Sequence, residues 1–354
     1  MQSSHTLDQL DIAFDDTHAI ANAGLLLPAT LAERLGIQQA GDALIDLGNR
    51  PGAAHPGRKL LTWSTRCWRV GTASTTPTCC AAVPPAGCSA IGHGPSTLGT
   101  FLRAFTFGHT RQLDRLAETA LARAWAAGAG PGAGPITIDL DSTVCQVHGY
   151  HKQGAAYGYP HRLGYHPLLA TRADSGEVLH ARQRTGRATT ARGAARFVDE
   201  LAARVRHAGA SGELTMRMDS GSGRPRPSAP AAATRSATPA PSAKPSRSGL
   251  RFRRSTSTPG SRSSTRGGLA QVAETRYKGD RLIVRRTRLT GAQAELVPNW
   301  RYHAFVTDRV GTAVWLDQAH RRHATVELCI RDLKGGVGLR HCPSASSTPT
   351  PPGC

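Results

Sequence analysis

The 47 residues from Ser222 to Gly268 contain ten Lys or Arg, no Asp or Glu, and almost nothing but Ser, Arg, Pro, Ala, Thr and Gly. Such a stretch has too little apolar surface to offset the entropy of ordering it, so it cannot build a core of its own. It divides the chain and carries half of the formal charge of +20. Two further stretches share its character. Trp63 to Gly92 also lacks acidic residues and holds four of the eight cysteines (Cys67, Cys79, Cys80, Cys88), and Ser344 to Cys354 is a Ser/Thr/Pro tail. Three readings compete for these patches: disordered linkers, a basic nucleic-acid arm for the central one, or segments translated out of frame. The third has a test on paper. Shifting the frame by one base lets Thr72 to Cys80 read Asp-Cys-Ile-Asp-Asp-Ala-Asp-Val-Leu, and lets Ser346 to Cys354 read Val-His-Ala-Asn-Ala-Ala-Trp-Leu, both closer to folded protein than the residues present.

The positive surplus, 44 Lys and Arg against 24 Asp and Glu, points to a polyanionic partner, most simply nucleic acid. No apolar run is long enough to span a bilayer, and no secretory leader is recognisable, so no membrane is expected and the cytoplasm is the expected location. Eight cysteines in 354 residues do not make a disulfide scaffold, and no pair of CxxC elements offers a zinc ribbon.

Between the patches the periodicity is clear. Thr6 to Leu47 is helical in spacing, with a short helix ending at Gly36, and residues 1–62 form a helical N-terminal region that is a candidate DNA-binding unit. Residues 63–94 are the first aberrant segment. Within 95–130, Pro95 to Ala126 reads as one long helix capped by Ser96 or Thr97 and ended by the Gly/Pro run Gly128 to Pro135. The pattern then alternates. Ile136 to Val144, His166 to Ala170 and Glu177 to Ala181 read as strands, Thr189 to His207 as a helix, and Glu213 to Asp219 as a fourth strand. That order is the one expected of a ribonuclease-H-like α/β core, whose first part spans 135–221. After the basic stretch 222–268, Gln271 to Tyr277 and Arg281 to Arg288 form the hairpin of a β-rich insertion (269–300). Residues 301–343 hold a last core strand, Tyr302 to Thr307, and a helix from Leu316 to Lys334, before the tail 344–354.

Asp141 ends the first strand, Asp219 ends the fourth and Glu327 lies on the last helix. In a ribonuclease-H-like sheet the first and fourth strands are neighbours, so these carboxylates converge. Three such oxygen donors suit two Mg²⁺ or Mn²⁺ ions acting on a phosphodiester. His320, His323, Glu327 and Lys334 fall at spacings of 3, 4 and 7, which puts them on one face of a continuous helix. Lys334, His323, His320 and Arg331 are candidate DNA contacts, with a solvated surface lysine as the alternative for Lys334. Zinc on His320, His323 and Cys329 is a rival, but the spacing is not HExxH and Cys329 lies off the histidine face.

At these residues the chain resembles a DDE-type transposase of a bacterial insertion sequence, closest to the IS-thirteen-eighty group and related to the IS-four superfamily. The motifs are TLDQLDIAFDD, PSTLGTFLRAFTFGHTRQLDRL, IDLDSTVCQVHGYHKQGAAYGY, GYHPLLATRADSGEVL, RMDSG and HRRHATVELCIRDLKGGVGLRHCPS, in this order. The resemblance implies a catalytic and metal-binding triad of Asp141, with Asp139 as the weaker candidate, Asp219 and Glu327. It implies cleavage and strand transfer of terminal inverted repeats with Mg²⁺ or Mn²⁺, and a homodimer assembled on DNA. The family's Y-x2-R-x3-E-x6-K helix signature keeps its spacing here, with His320 and His323 replacing the first two identities. Relatives read close to the shifted frames, which implies a decayed, C-terminally truncated and inactive element. A non-catalytic DNA-binding repressor and a ribonuclease-H-like nuclease are the alternatives.

Overall fold

The computed structural model describes residues 24, 26–72, 93–148, 152–218, 233–237, 253–254, 270–277, 279–288, 300–336 and 339. Asp219, residues 73–92, most of 222–268 and the tail 344–354 lie outside the described residues. The helical lead-in comprises α1 (Leu26–Arg34), α2 (Ile37–Leu44), α3 (Pro56–Thr72), α4 (Pro95–Ala104) and α5 (Phe107–Ala124). Gly36, at φ 60°, supplies the left-handed turn between α1 and α2. Ala40, Ile45, Leu47, Phe101, Ala104 and Leu116 form one apolar cluster from both sides of the 73–92 segment. α3 runs past residue 62, so residues 63–72 complete a helix instead of opening a separate unit.

The single helix expected over Pro95 to Ala126 is two. Thr106 takes extended backbone (φ −121°), and its N–H donates to Nδ1 of His109 at 2.9 Å, so the chain leaves α4 and starts α5 with a capping box. Gly94 stands at the N-cap of α4 with Pro95 behind it, in place of Ser96 or Thr97.

The strands that follow are β1 (Ile136–Ser142), β2 (Cys145–Gln146), β3 (Ala156–Tyr157), β4 (Leu163–Tyr165), β5 (Leu168–Arg172) and β6 (Val178–Arg182). Then come α6 (Ala194–His207), β7 (Leu214–Met218), β8 (Ala233–Ala237), β9 (Arg253–Arg254), β10 (Ala270–Tyr277), β11 (Asp280–Arg288) and β12 (Trp300–Thr307). A nine-stranded sheet has the order β6-β5-β1-β7-β8-β12-β11-β10-β9, and β2-β4-β3 form a small sheet of their own. β5 is antiparallel to β1, while β7 and β8 run parallel to it in succession. Two features escaped the sequence pattern: the small sheet, and β8, which comes from the basic stretch yet pairs between β7 and β12. The β10–β11 hairpin and β12 prolong this same sheet.

Alternation along β1 sends Ile136, Ile138 and Leu140 into the main core, where they meet Leu168 and Ala170 of β5, Leu214, Met216 and Met218 of β7, and Phe197, Val198, Leu201 and Val205 of α6. α6 begins at Ala194 because Gly193, at φ 72°, cannot continue a helix. Trp125 closes the core beyond α5, with its indole N–H on the Glu177 carboxylate at 3.1 Å.

His180 of β6 is buried against Phe197, stacked at 4.4 Å between ring centroids. Burial, then the Arg204 charge, outweighs Asp114 and the Glu200 hydrogen bond and holds this imidazole down at about 4. Burial also pushes Glu200 up, but hydrogen bonds and charge from Arg182 and Arg196 bring it down to about 2. Because the folded pKa of His180 lies below the ordinary 6.5, the unfolded chain binds a proton the native state refuses between pH 6.5 and 4. Stability is expected to fall across that window by on the order of 3 kcal/mol from this residue. The Glu200 contribution is lost later, as pH falls from 4.5 towards 2. Urea unfolding at pH 7, 5.5 and 4 checks this, with His180→Gln expected to flatten the first part. An equally steep wild-type and variant profile would show the window to have another origin.

Candidate active site

Thr137, Asp139 and Asp141 point to the face of the sheet opposite the main core, as do Thr215 and Arg217 of β7. The register sets Asp139 beside Arg217. Both are buried, at 1% and 5% exposure, and a charge there needs a partner. Arg217 donates from Nε to Oδ1 and from Nη2 to Oδ2 of Asp139, each at 2.6 Å, a bidentate fork. Its Nη1 donates to the Ala319 carbonyl at 2.6 Å. Nδ1 of His323 lies 2.7 Å from Oδ1 of Asp139, which fixes the proton on Nδ1. Two strands and the late helical segment are thus tied at one point.

That late segment is α7 (Ala313–Arg321), a 3-10 turn (Arg322–Ala324) and α8 (Thr325–Gly336), in place of the one helix expected over Leu316 to Lys334. The Thr325 hydroxyl donates to the Arg322 carbonyl at 2.8 Å, one of the local bonds that compete with a continuous ladder. The common face expected of His320, His323, Glu327 and Lys334 is therefore interrupted at the turn that carries His323.

α8 lies on the Asp139/Asp141 face. Val326 and Ile330 pack on Leu169, the β5 residue paired with Asp141. Glu327 follows Val326, lies four residues beyond His323 and is exposed. Asp141 is half-buried, with Oδ1 accepting the Ser142 N–H at 2.7 Å. Asp219, next in sequence to Met218 at the end of β7, is outside the described residues. Among the described residues no three His, Cys, Asp or Glu side chains are grouped to hold a metal ion.

The expected DNA contacts fare differently. Lys334 is half-buried and Arg331 exposed, the latter ion-paired with its neighbour Asp332 at 3.2 Å. His320 is buried at 6% exposure and stacked on Phe305 at 4.1 Å. Burial, followed by His323, His303 and Arg217, holds it down to about 3, so it is neutral at ordinary pH. A neutral ring stacked on Phe305 offers little surface to a phosphate. His323 is committed to Asp139. The residue missed in the sequence is Arg217. Its signal was available in part: one basic residue in the apolar strand LTMRM needs an acidic partner, and the neighbouring strand ITIDLDS offers two, Asp139 and Asp141.

The family described as Transposase DDE domain group 1 matches residues 3–349. No curated protein matches the chain significantly. Among solved structures, that of the piggyBac transposase synaptic complex with hairpin DNA is similar at 13% identity and a TM-score of 0.46, over 88% of this chain and 68% of that one.

Proposed function

Since the chain belongs to the transposase DDE domain group 1 family, we propose that it is a DNA transposase built to cleave and join its element's ends, with Asp141, Asp219 and Glu327 as the carboxylate triad. The observation that carries this reading is the seating of α8 on the face that bears Asp141, through Val326 and Ile330 on Leu169. Strand order supports a ribonuclease-H-like core: three antiparallel strands, a helix, then parallel β7 beside β1. Asp141 follows Leu140, which pairs with Met218, the last described residue of β7.

Asp139 is a poor competitor for the first place, because Arg217 and His323 already neutralise and fill it. The oxygen-only donor set of Asp141, Asp219 and Glu327 fits Mg²⁺ or Mn²⁺, which when bound would activate a water or 3′-hydroxyl and stabilise the leaving oxygen. The chain's own part is to hold Glu327 over β1 through the Arg217–Asp139–His323 tie. Lys334 and Arg331, farther along α8, are suited to backbone phosphate. The partner is DNA carrying the element's terminal inverted repeats, bound by a homodimer, and the element is of the IS-thirteen-eighty kind among bacterial insertion sequences.

The chain itself is inactive on this reading. Its fifth sheet position is filled by Ala-Thr-Arg-Ser-Ala of β8, taken from the stretch that reads as out of frame, directly after Asp219. Purified chain is expected to bind terminal-repeat DNA without cutting it in Mg²⁺. A gene restored to frame at the three aberrant segments is expected to nick that DNA and to lose this on Asp219→Ala or Glu327→Gln, by a factor of at least about 10². Nicking by the present chain, abolished by Asp219→Ala, would overturn the inactivity. Cleavage by the restored protein without strand joining would replace transposition by nuclease action.

A further inference from the structure

The triad reading leaves the small sheet without a role. β2 and β4 continue the β1–β5 ladder past the end where Asp141 stands: Asp141 pairs with Leu169, Ser142 with Leu168, the Thr143 N–H donates to the Pro167 carbonyl at 3.1 Å, and Cys145 pairs with Tyr165. Cys145 is four residues from Asp141, at most about 13 Å of extended chain.

This sheet is clamped by close backbone approaches. A Cβ at Gly186 would lie 2.1 Å from the Ala156 carbonyl oxygen, one at Gly164 2.4 Å from that of Cys145, and one at Gly158 2.4 Å from that of Gly186. The Arg184 guanidinium pins the crossing loop by donating to the carbonyls of His166, Thr189, Thr190 and Arg192. On this held frame two aromatic rings stand in solvent, Tyr159 at 98% exposure and Tyr157 at 55%. β3, which carries Tyr157, is the outer strand of the small sheet. From Ser142 to Ala173 the sequence has no Asp or Glu, and Arg162, next to the start of β4, is exposed, whereas Arg172 at the far end of β5 is paired with Asp174 at 2.7 Å.

Rings displayed on a rigid frame beside an exposed arginine match the requirements of single-stranded nucleic acid: a flat face for each base and a cation for the backbone. We propose that the β2–β4 sheet is a stacking platform for unpaired bases of the DNA strand beside the cleavage site, with Tyr157 and Tyr159 against base faces and Arg162 on phosphate. This rests on the transposase reading, since it takes DNA to be the ligand.

The test uses the full chain and a fluorescein-labelled DNA duplex, either blunt or ending in a single-stranded adenine tail, titrated by anisotropy at low salt. The tailed DNA is expected to bind about tenfold tighter or more. The Tyr157→Ala/Tyr159→Ala variant is expected to lose that preference while keeping the affinity for blunt duplex and the wild-type melting curve. The corresponding double Phe variant keeps the preference, because the ring face is retained. A 2-aminopurine placed in the tail is quenched by the wild type and by the Phe variant but not by the Ala variant. Arg162→Ala lowers the salt slope by about one for tailed DNA. Equal binding of tailed and blunt DNA by the wild type, or a tail preference surviving in the Ala variant, would overturn the platform and leave the transposase reading intact. No binding to either DNA would remove both.

Discussion

Arg217→Met is expected to lower the unfolding free energy by about 3–5 kcal/mol, because it strands the Asp139 carboxylate at 1% exposure without its fork. Against a typical stability of roughly 5–15 kcal/mol the change is large enough to unfold much of the population. Arg217→Lys is expected to be nearly as damaging, since an ammonium cannot donate in parallel to Oδ1 and Oδ2 while also reaching the Ala319 carbonyl. Asp139→Leu together with Arg217→Met is the informative control. Replacing both charges removes the unpaired group, so the double variant should recover most of the loss. Urea denaturation of the three proteins decides it. If the double variant is no more stable than Arg217→Met alone, the pair does not act as a unit. His323→Ala should cost less, because Asp139 keeps both bonds from Arg217, yet it should loosen α8. Faster amide exchange in Val326 to Ile330 would report that.

Phe197→Ala is expected to cost about 3–5 kcal/mol, the range for deleting a fully buried aromatic ring. Phe197 sits at 0% exposure where α6 meets β1, β5 and β7, with no element free to collapse into the space. The same ring carries His180. Removing it lets water towards the imidazole, so the His180 pKa should climb from about 4 towards 6.5, and the acid-sensitive window should narrow from its low end. The stability loss and the histidine titration are independent readouts of one contact. Phe197→Leu, which keeps most of the volume, should cost less than about 1.5 kcal/mol. A loss below 1 kcal/mol for the alanine variant would mean that the α6 face is not packed as described.

The parts of the fold that were legible in the sequence are those whose partners are their own neighbours. Phe197, Val198, Leu201 and Val205 announce the α6 face by 3.6-residue spacing, and Asp174-Ser175-Gly176 announces the β5–β6 turn, where Gly176 takes φ 74°. The break at Thr106 was in principle readable from Thr-x-x-His, but an unbroken run of apolar positions outweighed it. β2, β3 and β4 are two or three residues long and have no alternation to detect. For the site, the order Asp141, Asp219, Glu327 could be written down from strand ends and a helix. What lay between them could not.

The sequence by itself determined that an alternating strand bearing Asp141 near its end and a helix bearing Glu327 exist, because hydrophobic period is a local property of the chain. The tertiary structure alone decided what surrounds each carboxylate of β1. Asp139 and Asp141 have the same alternation and the same side of β1, and only the arrival of Arg217 from 78 residues away and His323 from 184 residues away separates them. Burial leaves the first no alternative to a fork and an imidazole, and leaves the second half-buried near the end of β1, on the face that α8 covers. The basic stretch shows the same division: its composition set the charge, but the open edge of β7 decided that Ala233–Ala237 would pair there, because backbone hydrogen bonding asks nothing of side-chain identity.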